Sequence, residues 1–167
     1  MKLVLKKMRR KNWPPRTDSE ENRNLAFNWA LKYLSFRARS TKEIKDYLLR
    51  KNFVGQIVDA VILKLNELKF LNDEDFGREW IESRQKHKGK SKFILKSELR
   101  MKGLDNETIE PLLKEAADDF ETAKTAFEKK KRILGKLPPE EFKKKISGFL
   151  QRKGFSWEVI NKLLKEN

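Results

Sequence analysis

No cysteine occurs anywhere in the chain. That single absence removes disulfides, thiolate zinc sites and cysteine nucleophiles together, and it fits a reducing compartment. Glycine (7) and proline (5) are scarce among 167 residues, and no segment combines apolar/polar alternation with hairpin signals such as Asn-Gly. A β-rich fold is thereby disfavoured. No Gly-rich phosphate-cradling loop is present, which argues against nucleotide hydrolysis by this chain. No stretch approaches the ~20 apolar residues of a membrane span. The opening MKLVLKKMRRKNWPP is basic but lacks an apolar run of signal-peptide length. The expectation is a soluble cytoplasmic monomer without membrane attachment.

Histidine occurs once, as His87 in the basic run RQKHKGK. It has no orienting partner nearby in sequence and reads as a solvated loop residue. The acid clusters Asp73-Glu74-Asp75, Asp118-Asp119 and Glu140-Glu141 lie at expected helix starts, where the helix dipole favours carboxylates. Neither catalytic residues, a metal site nor a cofactor is expected.

What the chain has in abundance is positive charge, 40 Lys+Arg against 25 Asp+Glu, for a formal +15. That balance calls for an anionic partner. Apolar residues fall at spacings of three and four, the mark of helices. A repeat is visible at an offset of 51: Leu48, Leu99 and Leu150 share a column, as do Ile44, Leu95 and Ile146. Asn52, Gly103 and Gly154 follow, then Phe53, Leu104 and Phe155. The later columns are Val58/Ile109/Ile160, Val61/Leu112/Leu163 and Ile62/Leu113/Leu164. Each unit therefore holds two helices joined at x-Lys-(Asn/Gly)-(Phe/Leu). Gly or Asn can take the left-handed conformation that ends a helix, and the lysine sits at the negative end of the dipole.

A third helix precedes each pair, over about residues 20–36, 74–85 and 117–134. Leu25, Trp29, Leu31 and Leu34 are expected to pack in the first of these. Phe76, Trp80 and Ile81 do so in the second, and Phe120, Ala123 and Phe127 in the third. Trp157 also reads as core. Ser40-Thr41-Lys42-Glu43 is a capping box. Asp73, Asp105 and Ser156 are expected caps, and Pro138-Pro139 suits an opening turn.

The expected fold is all-α, three tandem three-helix repeats (about nine helices) in an elongated row, with a basic N-terminal arm. The boundaries are an arm at 1–24 and repeats at 25–72, 73–116 and 117–167. Within the arm, Met1 to Leu5 can make a short strand, and Trp13 is a candidate exposed aromatic contact.

Binding chemistry is concentrated between Arg84 and Lys102, where eight basic residues accompany one acid, Glu98. Lys92, Lys96 and Arg100 are spaced four apart and align along one helix. With Arg84 and the loop residues Lys86, Lys88 and Lys90 they could track a phosphate backbone. Arg37 and Arg39 stand just before the capping box. Lys130 and Arg132 belong to a further cluster, Lys129-Lys130-Lys131-Arg132. These eleven basic residues are the candidate contacts.

Three groups of residues resemble the RecX family of regulators of the RecA recombinase. The first is Ala30-Leu31-x-Tyr33-Leu34-Ser35-x-Arg37-x-Arg39-Ser40-x-x-Glu43-Ile44, continuing to Leu48, Lys51 and Phe53. The second is Leu71-Asn72-Asp73-x-x-Phe76-x-x-x-Trp80-Ile81-x-x-Arg84 with Glu98-Leu99-Arg100-x-Lys102-Gly103. The third is Phe149-Leu150-x-Arg152-Lys153-Gly154-Phe155-Ser156. The resemblance implies three repeated three-helix motifs and a non-enzymatic role. It implies a RecA filament partner whose ATP hydrolysis, strand exchange and repressor-cleavage support are restrained, with weak non-specific contact to single- and double-stranded DNA. The alternative is a stand-alone nucleic-acid-binding protein with helix-turn-helix-like repeats.

Overall fold

The computed structural model describes residues 17–166, so the expected strand at Met1 to Leu5, most of the basic arm and Trp13 lie outside the described residues. Among the described residues there are nine helices and no strand. They are α1 (Glu20–Leu34), α2 (Thr41–Arg50), α3 (Gly55–Glu67), α4 (Asp73–Lys88), α5 (Lys92–Met101), α6 (Asn106–Glu115), α7 (Asp119–Leu134), α8 (Pro139–Arg152) and α9 (Trp157–Glu166). They form three tandem triplets. The chain divides into two compact units, one ending at Asp73 and the other beginning at Glu74.

The joint between the second and third helix of each triplet has one geometry. Asn52, Gly103 and Gly154 have φ of 61°, 92° and 87°. In each case the next residue's amide reaches back five positions: Phe53 to the Leu48 carbonyl at 3.2 Å, Leu104 to Leu99 at 3.2 Å, Phe155 to Leu150 at 3.3 Å. The left-handed residue's own amide bonds three back, to Leu49, Arg100 and Gln151. This double closure satisfies carbonyls that a helix end would otherwise orphan. It also folds Phe53, Leu104 and Phe155 onto the last turn, where all three are buried.

The cores follow the repeat columns. Ile44, Leu95 and Ile146 are fully buried, as are Leu48, Leu99 and Leu150. The first unit's core adds Ile57, Val58, Val61 and Leu65 from α3. The fully buried positions of α1 are Ala26 and Ala30, whereas the expected Leu25, Trp29, Leu31 and Leu34 are only partly buried. Small residues let α1 lie close to its neighbours, and the larger side chains cover the seam. Trp157 is 57% exposed, against expectation. It shares the face of Ile160 by spacing, but spacing does not say how far neighbouring helices extend along that face.

Capping agrees with the sequence at Ser40, Asp105 and Ser156. Asp73 differs. It is the first residue of α4, and its carboxylate accepts from the Thr41 amide at 2.7 Å. Asp119 does the same one repeat later, accepting from the Lys92 amide at 2.8 Å. A carboxylate opening one triplet thus holds the first amide of the second helix in the triplet before. Burial pushes the Asp119 carboxyl above its ordinary value, offset in part by that amide bond. The native state therefore holds this proton more tightly than the unfolded chain, and ionisation above the raised value weakens the fold.

Four variants have expected outcomes in urea unfolding. A Gly154→Ala side chain would collide with Ile94 Cγ1 and Ser91 Oγ and force a left-handed alanine, costing about 2–4 kcal/mol. Asn52→Ala, where only the left-handed preference is lost, costs about 1 kcal/mol. Asp119→Ala leaves the Lys92 amide unpaired and costs about 1–2 kcal/mol, while Asp119→Asn keeps an acceptor without the buried charge and costs less.

Candidate partner-binding surface

The candidate surface is built on the second triplet by the end of α4, a short loop and α5. α4 runs to Lys88, so Lys86, His87 and Lys88 form its last turn rather than the loop expected from the sequence. The helix continues because basic residues are favoured at its negative end. His87 is solvent-exposed there. Gly89, with φ of 55°, ends the helix. The loop is pinned at Ser91, whose amide donates to the Lys153 carbonyl at 3.0 Å and whose hydroxyl caps α5.

Glu98, the one acid of the basic run, lies at the centre. Its carboxylate accepts from Trp80 Nε1 at 2.9 Å and Arg84 Nε at 3.1 Å, with Lys90 Nζ at 3.7 Å. The Trp80 ring carries the Arg84 guanidinium 4.0 Å from its centroid and the Lys102 ammonium at 4.7 Å. Arg84 and Lys90 are thus engaged within the fold. Along α5, Lys96 pairs with Glu110, and Arg100 donates to Asn106 Oδ1 at 3.0 and 2.9 Å. The Lys92 side chain is half-buried, whereas Lys86, Lys88 and Arg100 are exposed.

In the first triplet, Arg37 grips Glu43 with two bonds of 2.8 and 3.1 Å and donates to the Ala38 carbonyl. It braces the capping box. Arg39 lies 3.9 Å from the Tyr33 centroid, and that ring stacks on Tyr47 at 4.0 Å. The Arg39 Nε is buried with no hydrogen-bond partner among the described residues. In the third triplet, Lys130 sits over Phe149 at 5.4 Å and Arg132 is exposed. Within each unit, the candidate residues separate into internal braces and a smaller set facing solvent.

Sequence reading missed three features. Phe93 and Met101 are 74% and 68% exposed, eight residues apart on one face of α5. Lys153 joins two triplets by donating to the Lys88 carbonyl. Burial and the nearby charges of Lys90, Lys88 and Lys129 push its ammonium below the ordinary lysine value. The third feature is the outward face of α8. Reading the 51-residue register on outward positions as well as core ones would have found the first and third. Among the described residues, no group of three or more His, Asp or Glu could hold a metal ion, and no helix is long and apolar enough to cross a membrane.

Family models for the first, second and third three-helix domains of RecX match residues 26–65, 72–113 and 117–164. Regulatory protein RecX of Bacillus subtilis is 39% identical over 137 residues, covering 81% of this chain and 52% of its own length. Regulatory protein RecX of Pelodictyon phaeoclathratiforme is 35% identical over 147 residues, covering 88% of this chain and 91% of its own. The chain thus spans about half the length of the Bacillus relative and nearly all of the other. The crystal structure of RecX from Lactobacillus salivarius superimposes with a TM-score of 0.75 at 26% identity, covering 89% of this chain and 97% of that one.

Replacing Glu98 by Ala leaves Trp80 Nε1 and Arg84 without their acceptor and costs about 1–3 kcal/mol in chemical denaturation. The same change removes the one acid of the basic run, so affinity for single-stranded DNA at low salt should rise.

Proposed function

This chain belongs to the RecX family, and on that premise we propose that it binds the RecA–DNA filament and restrains its ATPase, strand-exchange and coprotease activities. The observation that carries this reading is the complete set of three family triplets on a chain of +15 charge. Small patches on successive repeats can touch successive subunits of a filament, so weak contacts add through avidity. The positive charge speeds encounter with a polyanionic assembly. The role is one of binding, and the action proceeds by bridging neighbouring subunits and resisting the motion needed for turnover.

In this reading Lys86, Lys88 and Arg100 face the partner, while Arg37, Arg84 and Lys90 hold the surface in shape. Arg39, Lys92, Lys96, Lys130 and Arg132 contribute to the wider positive field. The protein acts in the cytoplasm, where the filament assembles. Contact with bare DNA is secondary and non-specific.

Titrating the chain into the cognate RecA on single-stranded DNA should lower ATP hydrolysis in a dose-dependent way, from substoichiometric to equimolar amounts. An unrelated protein of similar charge should have no such effect. The Lys86, Lys88 and Arg100 to Glu triple variant should raise the half-inhibiting concentration about tenfold. Unchanged hydrolysis at saturation, together with tight and salt-sensitive binding to bare DNA, would instead identify a stand-alone nucleic-acid-binding protein.

A further inference from the structure

The second helices α2, α5 and α8 occupy equivalent places in the three triplets, so their outward faces can be compared at the 51-residue offset. On α2 the face carries Lys42, Asp46 and Arg50, and the first two are paired at 2.7 Å. On α5 it carries Phe93, Ser97 and Met101. On α8 it carries Lys144, Gly148 and Arg152. The face is thus charge-balanced in one triplet, apolar in the next and purely cationic in the third.

On α8 the face borders a groove. Lys130 and Leu134 of α7 face Lys144, Lys145, Gly148 and Arg152 of α8 across about 470 Å³. Glu141 also lines it, but its carboxylate is taken by Lys145 at 2.6 Å. Lys144 and Arg152 are exposed and make no ion pair among the described residues. Gly148 places no side chain in the groove, and Arg152 Nη1 lies beside the vacant position. The lining is therefore backbone at Gly148, Leu134, four cationic side chains and the paired Glu141.

We propose that this groove between α7 and α8 seats the phosphodiester backbone of single-stranded nucleic acid, held by Lys130, Lys144 and Arg152. The proposal rests on the filament-binding reading and deepens it, because it gives the nucleic acid of that filament a seat on the third triplet. Lys144 and Arg152 are eight residues apart, roughly 12 Å along the helix. A strand advancing ~3.4 Å per phosphate offers several charges over that length. An extended acidic peptide turns alternate side chains away, and so presents half its charge. A phosphodiester presents one charge per residue. Positive charge extends past the groove lining, because the Phe149 ring carries both Lys130 at 5.4 Å and Lys153 at 4.8 Å. Lys153 in turn abuts Lys88. An anion there would relieve the like-charge crowding at Lys153.

The test is fluorescence anisotropy of a labelled oligothymidylate with the full chain across a salt series, with RecA ATPase inhibition measured in parallel. K144E/R152E should weaken oligonucleotide binding at least tenfold and reduce the salt slope by about 1.4, the value for two lost phosphate contacts on a single strand. K124E/K165E, the same charge change on exposed positions outside the groove, should weaken it much less. G148L fills the groove without altering charge; it should weaken binding several-fold with no fall in melting temperature, since leucine favours helix. Equal losses from the two charge-reversal pairs would overturn the proposal in favour of net charge alone. So would loss of poly-glutamate binding with oligonucleotide binding intact, which would assign the groove to an acidic protein segment. Unchanged binding by the groove variants, with ATPase inhibition preserved, sinks the groove and leaves the filament reading standing. Wild-type chain that neither binds oligonucleotide nor inhibits RecA sinks both.

Discussion

The closed left-handed turn after the second helix of each triplet is the constraint on which the rest depends. It does two things at once. It satisfies the last carbonyls of α2, α5 and α8, and it turns Phe53, Leu104 and Phe155 inward onto the core. The direction in which the third helix leaves is then set, and with it the meeting of Val58, Ile109 or Ile160 with the buried pair one helix earlier. A triplet has little core of its own, so an error of angle here would open the cavity that the fold least tolerates. At Gly154 the constraint also spans triplets, because Ile94 and Ser91 occupy the space that a side chain would need.

The charged residues divide by what they do for the fold. Glu98 gathers Trp80, Arg84 and Lys90. Arg37 and Glu43 brace a helix start. Asp73 and Asp119 hold amides across the sequence. A protein with this excess of positive charge must offset its own repulsion. Placing its acids beside its most crowded bases does so and leaves the remaining cations facing outward. Lys153 is the exception, since it is half-buried among other lysines with a carbonyl for a partner.

Repetition also lets one scaffold present different chemistry from equivalent positions. The buried columns are nearly invariant across the three triplets, since they answer to the same packing. The outward face of the second helix answers to none of it, and carries a balanced pair, an apolar stripe or a cationic rim. Specificity for several partners, or for several parts of one assembly, can accumulate on such faces without disturbing the core.

Much of the architecture was legible in the sequence. The 51-residue offset located the helix pairs, the left-handed joints and most buried columns, because periodic burial and turn chemistry are local properties. Ser40, Asp105, Ser156 and the Pro138-Pro139 start were readable for the same reason. What failed was long-range: the carboxylates of Asp73 and Asp119 cap helices more than twenty residues away, which chain-local reasoning does not search. The candidate contacts were legible as charge but not as surface. Arg84 and Arg100 alike read as basic positions on a helix, and only packing separates a brace from a cation facing solvent. Trp157 was misplaced because apolarity and spacing define a face without saying what covers it. The sequence by itself determined helices, repeats and cores, since these follow from the order of residues within a few turns. The tertiary structure decided which charges face solvent and where a groove opens, since those depend on neighbours that sequence distance conceals.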